Sequence, residues 1–254
     1  MTLPAIIPAA TLILFDDRED ADALHLMVER AASMAFAAGA LVFPGGRVDD
    51  DDRAQAAHYP ALDPVDAAAR IAAIRETLEE TGVAAGFAVA PDADTAAMMR
   101  TALHQGEAFS GLIERHALAL DLDAIIPFAH WRPPQIGERP RIFDTRFFIA
   151  CAPADAQSAS VDATENTRLM WASAAGLLAR AAKGEAHIIH PTQRNLERLA
   201  TIPSFAAACA HLVEHPVRLV MPRKETRDGV DHLVIDGGIG YPFTAMPLTE
   251  VKRG

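Results

Sequence analysis

The stretch IRETLEETG, Ile74 to Gly82, gathers Arg75, Glu76, Glu79 and Glu80 at a spacing that suits chemistry. Read as a helix, the three glutamates stand at i, i+3 and i+4 and share one face. Ionised carboxylates at that spacing repel one another, and a multivalent cation seated between them removes the repulsion. Hard cations such as Mg²⁺ and Mn²⁺ take oxygen ligands and bridge carboxylates to substrate phosphates. Arg75 precedes Glu79 by one helical turn, where it can either hold a carboxylate in place or touch a phosphate. The competing reading is a solvated face whose charges serve solubility.

The elements that must position these side chains are legible nearby. Asp63 is an N-cap, Pro64 fits the first helical position and Asp66 the first turn, so a helix is predicted from there through VDAAARIAAIRETLEET. Gly82 is its natural stop. Upstream, ATLILF and LHLMVER read as strands separated by an acidic turn, and Leu41 to Phe43 as a short strand running into Pro44-Gly45-Gly46. Glycines there permit unusual backbone angles. From Arg47 to about Asp63 no periodicity is evident, and the segment reads as loop, the Asp49 to Asp52 run as a solvated part of it rather than an extra metal site.

Downstream, helices are predicted over Thr95 to His104 and Phe109 to His116, and RIFDTRFFIACAP is a strand rich in aromatic residues. Ser173 caps a helix that stops at Gly184. TQRNLERLATI and SFAAACAHLVEH read as further helices, with VRLVM and DHLVID as a terminal strand pair. The expected fold class is α/β, a single domain over residues 1–254.

With 23 basic and 34 acidic residues the net charge is -11, which argues against wrapping a nucleic-acid backbone. A small anionic substrate fits if arginines or metal ions neutralise it locally. No stretch approaches about 18 consecutive apolar residues, so no membrane span is expected. Cys151 and Cys209 sit in apolar surroundings and read as buried free thiols of a cytoplasmic protein.

A strand ending in Pro-Gly-Gly, then a loop, then an Arg-Glu-x-x-Glu-Glu-x-Gly helix resembles the signature of the Nudix hydrolase superfamily. That pattern runs Gly, five residues, Glu, seven residues, Arg-Glu-hydrophobic-x-Glu-Glu-x-Gly-hydrophobic. Its second half is matched here from Arg75 to Val83, with Thr77 alone departing where an aliphatic residue is usual. The first half is interrupted: 75 minus 46 is 29 rather than 14, so about 15 residues are inserted after Gly46. Counted forward from Gly46 the remaining glutamate falls on Asp52, and counted back from Arg75 on Ala67, beside Asp66. A box interrupted between FPGGRVD and DAAARIAAIRETLEETGV is similar to the branch holding peroxisomal and mitochondrial CoA diphosphatases. The likeness extends over about residues 8–202, leaving a C-terminal extension of about 203–254.

The resemblance implies a mixed β-sheet sandwiched between α-helices, with extra helices in the middle and at the C-terminus. It implies metal-dependent hydrolysis of a diphosphate in a nucleoside diphosphate linked to another moiety, CoA or acyl-CoA first, with ADP-ribose, a nucleotide sugar or a dinucleotide as alternatives. A non-catalytic nucleotide-sensing domain is the other class; such domains often lose the helix glutamates retained here. Glu76, Glu79, Glu80 and the Gly45 carbonyl would hold Mg²⁺ or Mn²⁺, and Arg75 would orient glutamates. Glu79 or Glu165 would serve as base, the second equally readable as a surface carboxylate. Arg47, Arg139, Arg141 and Arg146 are candidates to counter substrate phosphates, and Arg146 equally a structural ion-pair partner. His130 and Trp131 would line a pocket or pack in the core; His187 and His190 are too isolated to be ligands. No nucleic-acid or membrane partner is implied, and a homodimer is one assembly open to the chain.

Overall fold

The structure is a computed structural model describing residues 5–32, 37–133, 141–161 and 166–252. Strands β1 (Ala5–Arg18), β2 (Ala21–Arg30), β3 (Leu41–Val42) and β4 (Gly45–Arg47) come first. Helices α1 (Asp50–Ala56), α2 (Pro64–Thr81), α3 (Ala93–His104) and α4 (Phe109–Arg115) follow. Next are β5 (Ile126–Trp131), β6 (Arg141–Cys151) and β7 (Asn166–Ser173), then α5 (Ala174–Ala182), α6 (His190–Leu199) and α7 (Phe205–Glu214). Strands β8 (Leu219–Val220), β9 (Arg223–Arg227), β10 (Val230–Val234) and β11 (Ala245–Pro247) end the chain.

Eight strands form one mixed sheet in the order β3-β2-β1-β6-β5-β8, with β4 added to β1 and β7 to β2. β1 runs parallel to β6 over its first 11 residues, Ala5 opposite Arg141 to Phe15 opposite Cys151. Successive side chains alternate between faces. Leu12, Leu14, Phe148 and Ala150 pack toward α2, while Ile13, Phe15, Phe147 and Ile149 pack toward Leu177, Leu196 and Ala208 of α5, α6 and α7. Because helices cover both faces, these strands read as nearly continuous apolar runs. The expected α/β/α sandwich is what the chain forms.

Helix α2 is buried almost all round, and Ala67, Ala68, Ala69, Ala72 and Ala73 let it lie close to the sheet. Asp63 Oδ1 accepts the N–H groups of Val65 and Asp66, and Gly82, at φ 75°, closes the helix. Thr77 breaks the apolar pattern without leaving a buried orphan, because its hydroxyl donates to the Ala73 carbonyl one turn back at 2.7 Å.

Three expectations are corrected. The segment read as loop contains α1, with Asp49 and Asp52 in a reciprocal capping box; three acidic residues in its first turn suit the helix dipole but show no apolar period. VRLVM and DHLVID do not pair with each other: β8 lies parallel to β5 in the main sheet, whereas β10 forms a separate three-stranded sheet with β9 and β11. Cys151 is exposed and Cys209 half-buried, since Cys151 falls at the last position of β6, beyond the covered part of the strand. Trp131 is core, its indole N–H donating to the Tyr241 hydroxyl, which donates to Asn195, so the C-terminal extension is tied to β5 and α6. His190 is buried edge-on against Trp131.

Candidate active site

The two glycines, expected to form a turn, instead open strand β4, and this start of the strand lies on the acidic stripe. The Gly45 N–H donates to Glu80 Oε2 at 3.0 Å. A Cβ on Gly46 would fall 2.4 Å from the Glu76 carboxyl carbon, so only glycine lets the strand approach this closely. Gly45 has φ 157° and a Cβ there would meet the Ala10 carbonyl oxygen at 2.3 Å. β4 is held at this spot by its register on β1, Gly46 opposite Ala10 and Gly45 opposite Thr11.

Arg75 is the hub of the stripe. It donates through Nε and Nη2 to the two oxygens of Asp52 at 3.0 and 2.8 Å, through Nη2 to the Arg47 carbonyl at 2.9 Å, and through Nη1 to Glu76 at 2.9 Å. Glu79 stands 3.7 Å from Nη1 on one side and 3.6 Å from His104 on the other. Arg75 therefore orients glutamates. Asp52, fully buried, is what fixes Arg75; burial pushes its carboxyl up to about 6 against the pull of the guanidinium. Forward counting from Gly46 lands on this aspartate, but only the fold reveals its partner. Between the two counted positions, Asp52 and Ala67, lie the end of α1, the connecting turn and the first turn of α2, and the contact of Asp52 with Arg75 spans them.

Two further arginines escaped the sequence reading. Arg100 of α3 donates to the carbonyls of Glu79 and Glu80 at 2.9 Å each, satisfying the end of α2 just where the stripe lies. Arg30, at the end of β2, stands 3.9 Å from Glu80. Neither belongs to a local motif, so spacing alone could not have found them.

Electrostatics marks Glu76 and Glu80 as an uneasy pair. Burial raises Glu76 to about 7, opposed by Arg75 and aided by Glu79; burial raises Glu80 to about 8, aided by Glu76 and opposed by the Gly45 N–H. Among the described residues no three carboxylate, histidine or thiol groups already converge as a cage, because Arg75 engages Glu76 and stands between it and Glu79. The donor set nonetheless fits a hard divalent cation: two buried, mutually repelling carboxylates lie beside a glycine pair with no side chains to obstruct them. Glu165 and Arg139 lie outside the described residues. Arg47 and Arg141 are exposed, and Arg146, His130 and Arg132 are half-buried on the sheet.

The same sandwich is found in a NUDIX hydrolase from Alicyclobacillus acidocaldarius, 28% identical, with 82% of this chain and 97% of that one covered at a TM-score of 0.69. A MutT protein from Methanosarcina mazei Go1 is 14% identical over 79% of this chain and 97% of its own, at a TM-score of 0.43. The chain is thus an enzyme of the Nudix hydrolase class, acting on diphosphate bonds. Within that class residues 55–199, more than half of the chain, match the NUDT19 Nudix domain, and the chain belongs to that family.

Proposed function

We propose that the protein hydrolyses the diphosphate of CoA or acyl-CoA, releasing 3′,5′-ADP and a phosphopantetheine or its acyl form, with Mg²⁺ or Mn²⁺ as cofactor. The observation that carries the metal-dependent reading is the contact of the Gly45-Gly46 pair with Glu80 and Glu76. CoA follows from the interrupted box and its likeness to CoA diphosphatases. Residues 1–254 act as one unit in this reading, supported by the Trp131–Tyr241–Asn195 link. The unpaired thiols suit a cytoplasmic setting, and no helix among the described residues is long and apolar enough to cross a membrane.

Glu76, Glu79, Glu80 and the Gly45 carbonyl would hold the cation, which when bound polarises phosphoryl oxygens and neutralises charge on the departing phosphate. Arg75, gripped by Asp52, keeps Glu76 pointed at the glycine pair. Glu79 has the most open side chain of the three, 26% exposed against 17% for Glu76 and 5% for Glu80, and takes the proton of the attacking water. The water oxygen bonds to phosphorus as the bridging P–O bond breaks, and the bridging oxygen leaves with the other phosphate.

The test is product analysis after incubation with CoA, an acyl-CoA, ADP-ribose, a nucleotide sugar and a dinucleotide, in Mg²⁺ or Mn²⁺. CoA esters are expected to yield 3′,5′-ADP, and EDTA to stop the reaction. Cleavage of ADP-ribose but not CoA would replace the substrate, and turnover indifferent to EDTA would remove the metal.

A further inference from the structure

Four polar side chains lie together on the floor of the sheet, on the face that carries α2. Arg146 alternates with Phe148 and Ala150, which pack beneath α2, so all three project to that side. The register then draws a row across the strands: Gly46 of β4 is opposite Ala10 of β1, Ala10 is opposite Arg146 of β6, and Arg146 is opposite His130 of β5. Gly46 touches Glu76, so this row starts at the acidic stripe. Arg146 stands two strand spacings further, about 10 Å away.

The cluster has an excess of positive charge on an acidic protein. Asp144 accepts from Arg132 at 3.2 and 3.3 Å and lies 2.7 Å from His130 Nε2, so one carboxylate serves both neighbours. Among the described residues Arg146 makes no ion pair or hydrogen bond to a carboxylate, although it is half-buried. A guanidinium kept there without an acid is suited to an anion arriving from solution. The row is also too long for the diphosphate alone, whose two phosphorus atoms share one bridging oxygen.

We propose that Arg146, with Arg132 fixed beside it by Asp144, forms a specificity subsite for a second anionic group of the substrate, a phosphomonoester on the ribose of the nucleoside diphosphate. The subsite rests on the diphosphatase reading and extends it: the enzyme selects nucleoside diphosphates bearing an additional phosphate. Ile6, opposite Ile142, and Leu219, opposite His130, are exposed apolar side chains that flank the cluster on this face.

Two measurements on the full chain separate this subsite from the diphosphatase reading. By titration calorimetry without substrate turnover, 3′,5′-ADP is expected to bind roughly tenfold tighter than 5′-AMP, and the preference to vanish in Arg146→Gln and return in part in Arg146→Lys. In kinetics with CoA and 3′-dephospho-CoA, the same substitution is expected to raise KM for CoA roughly tenfold with a much smaller effect on the dephospho substrate. Equal binding of the two nucleotides by the unaltered protein, or an equal loss on both substrates in Arg146→Gln, would overturn the subsite. Absence of turnover with a retained preference for 3′,5′-ADP would sink the reaction and keep the subsite.

Discussion

Arg75 and Asp52 form a two-pronged ion pair, 3.0 and 2.8 Å, between α2 and the helix that interrupts the box. Asp52 is wholly buried, so Arg75 has no water to replace it. Converting Asp52 to Ala leaves a buried guanidinium with a weaker set of partners and should cost about 3 kcal/mol, read by urea unfolding. Asp52→Glu should retain more stability yet lose activity, because the longer side chain pushes Arg75 and with it Glu76. Unchanged stability in Asp52→Ala would show that the pair is not fixed in solution.

Gly46→Ala should separate folding from chemistry. The added methyl meets a carboxylate at the end of a side chain, which can swing aside, so a melting temperature within a few degrees of the parent is expected. Turnover should drop by roughly a hundredfold, since Glu76 is the group displaced. Gly45→Ala meets backbone at 2.3 Å instead and should lower the melting temperature markedly. Full activity in Gly46→Ala would detach the glycine pair from the reaction.

Glu80→Gln trades stability against function. In EDTA above about pH 8, where burial no longer keeps Glu80 protonated, the substitution removes a buried negative charge beside Glu76, and the melting temperature should rise. With Mg²⁺ or Mn²⁺ added, the unaltered protein should gain stability with metal concentration and the variant much less. Turnover in the variant should be lower by roughly two to three orders of magnitude. Equal metal-induced shifts in both proteins would place the cation elsewhere.

His25 supplies a pH dependence remote from the site. It is buried in β2, bonded through Nδ1 to the Leu14 carbonyl at 3.0 Å, and burial lowers its pKa to about 4. Between pH 6.5 and about 4 the unfolded chain takes up a proton that the folded imidazole refuses. Its contribution is therefore complete above pH 6.5 and is lost on acidification, to the extent of about 3 kcal/mol. His25→Gln should flatten that part of the stability profile in urea titrations run across this range. A profile identical to the parent's would show that folding leaves the His25 pKa where it is in the unfolded chain.

The helix of the site was legible because its signals are local. Asp63, Pro64 and Gly82 punctuate it, and the three glutamates recur at its own period. Strands β1, β2 and β6 were legible for the same reason, as mainly apolar runs, whereas β7 was not, because only its partly covered position beside β2 marks it as a strand. Helix α1 was not, since its buried face is a few polar and small residues, Asp52, Gln55 and Ala56, whose burial depends on partners far along the chain. The C-terminal strands were recognised as strands but mispaired, because β8 and β10 carry no mark of the sheet each joins.

By itself the sequence determined that this chain places an arginine and three glutamates on one helical face behind a pair of glycines. Helical period and backbone freedom are properties of neighbouring residues. Tertiary structure alone decided that Asp52 reaches Arg75 across 23 positions, that Gly46 rests on Glu76, and that Arg146 shares a row with Gly46. Those contacts follow from strand register and the packing of α2 on the sheet, which arise from burial summed over the whole core rather than from any local spacing.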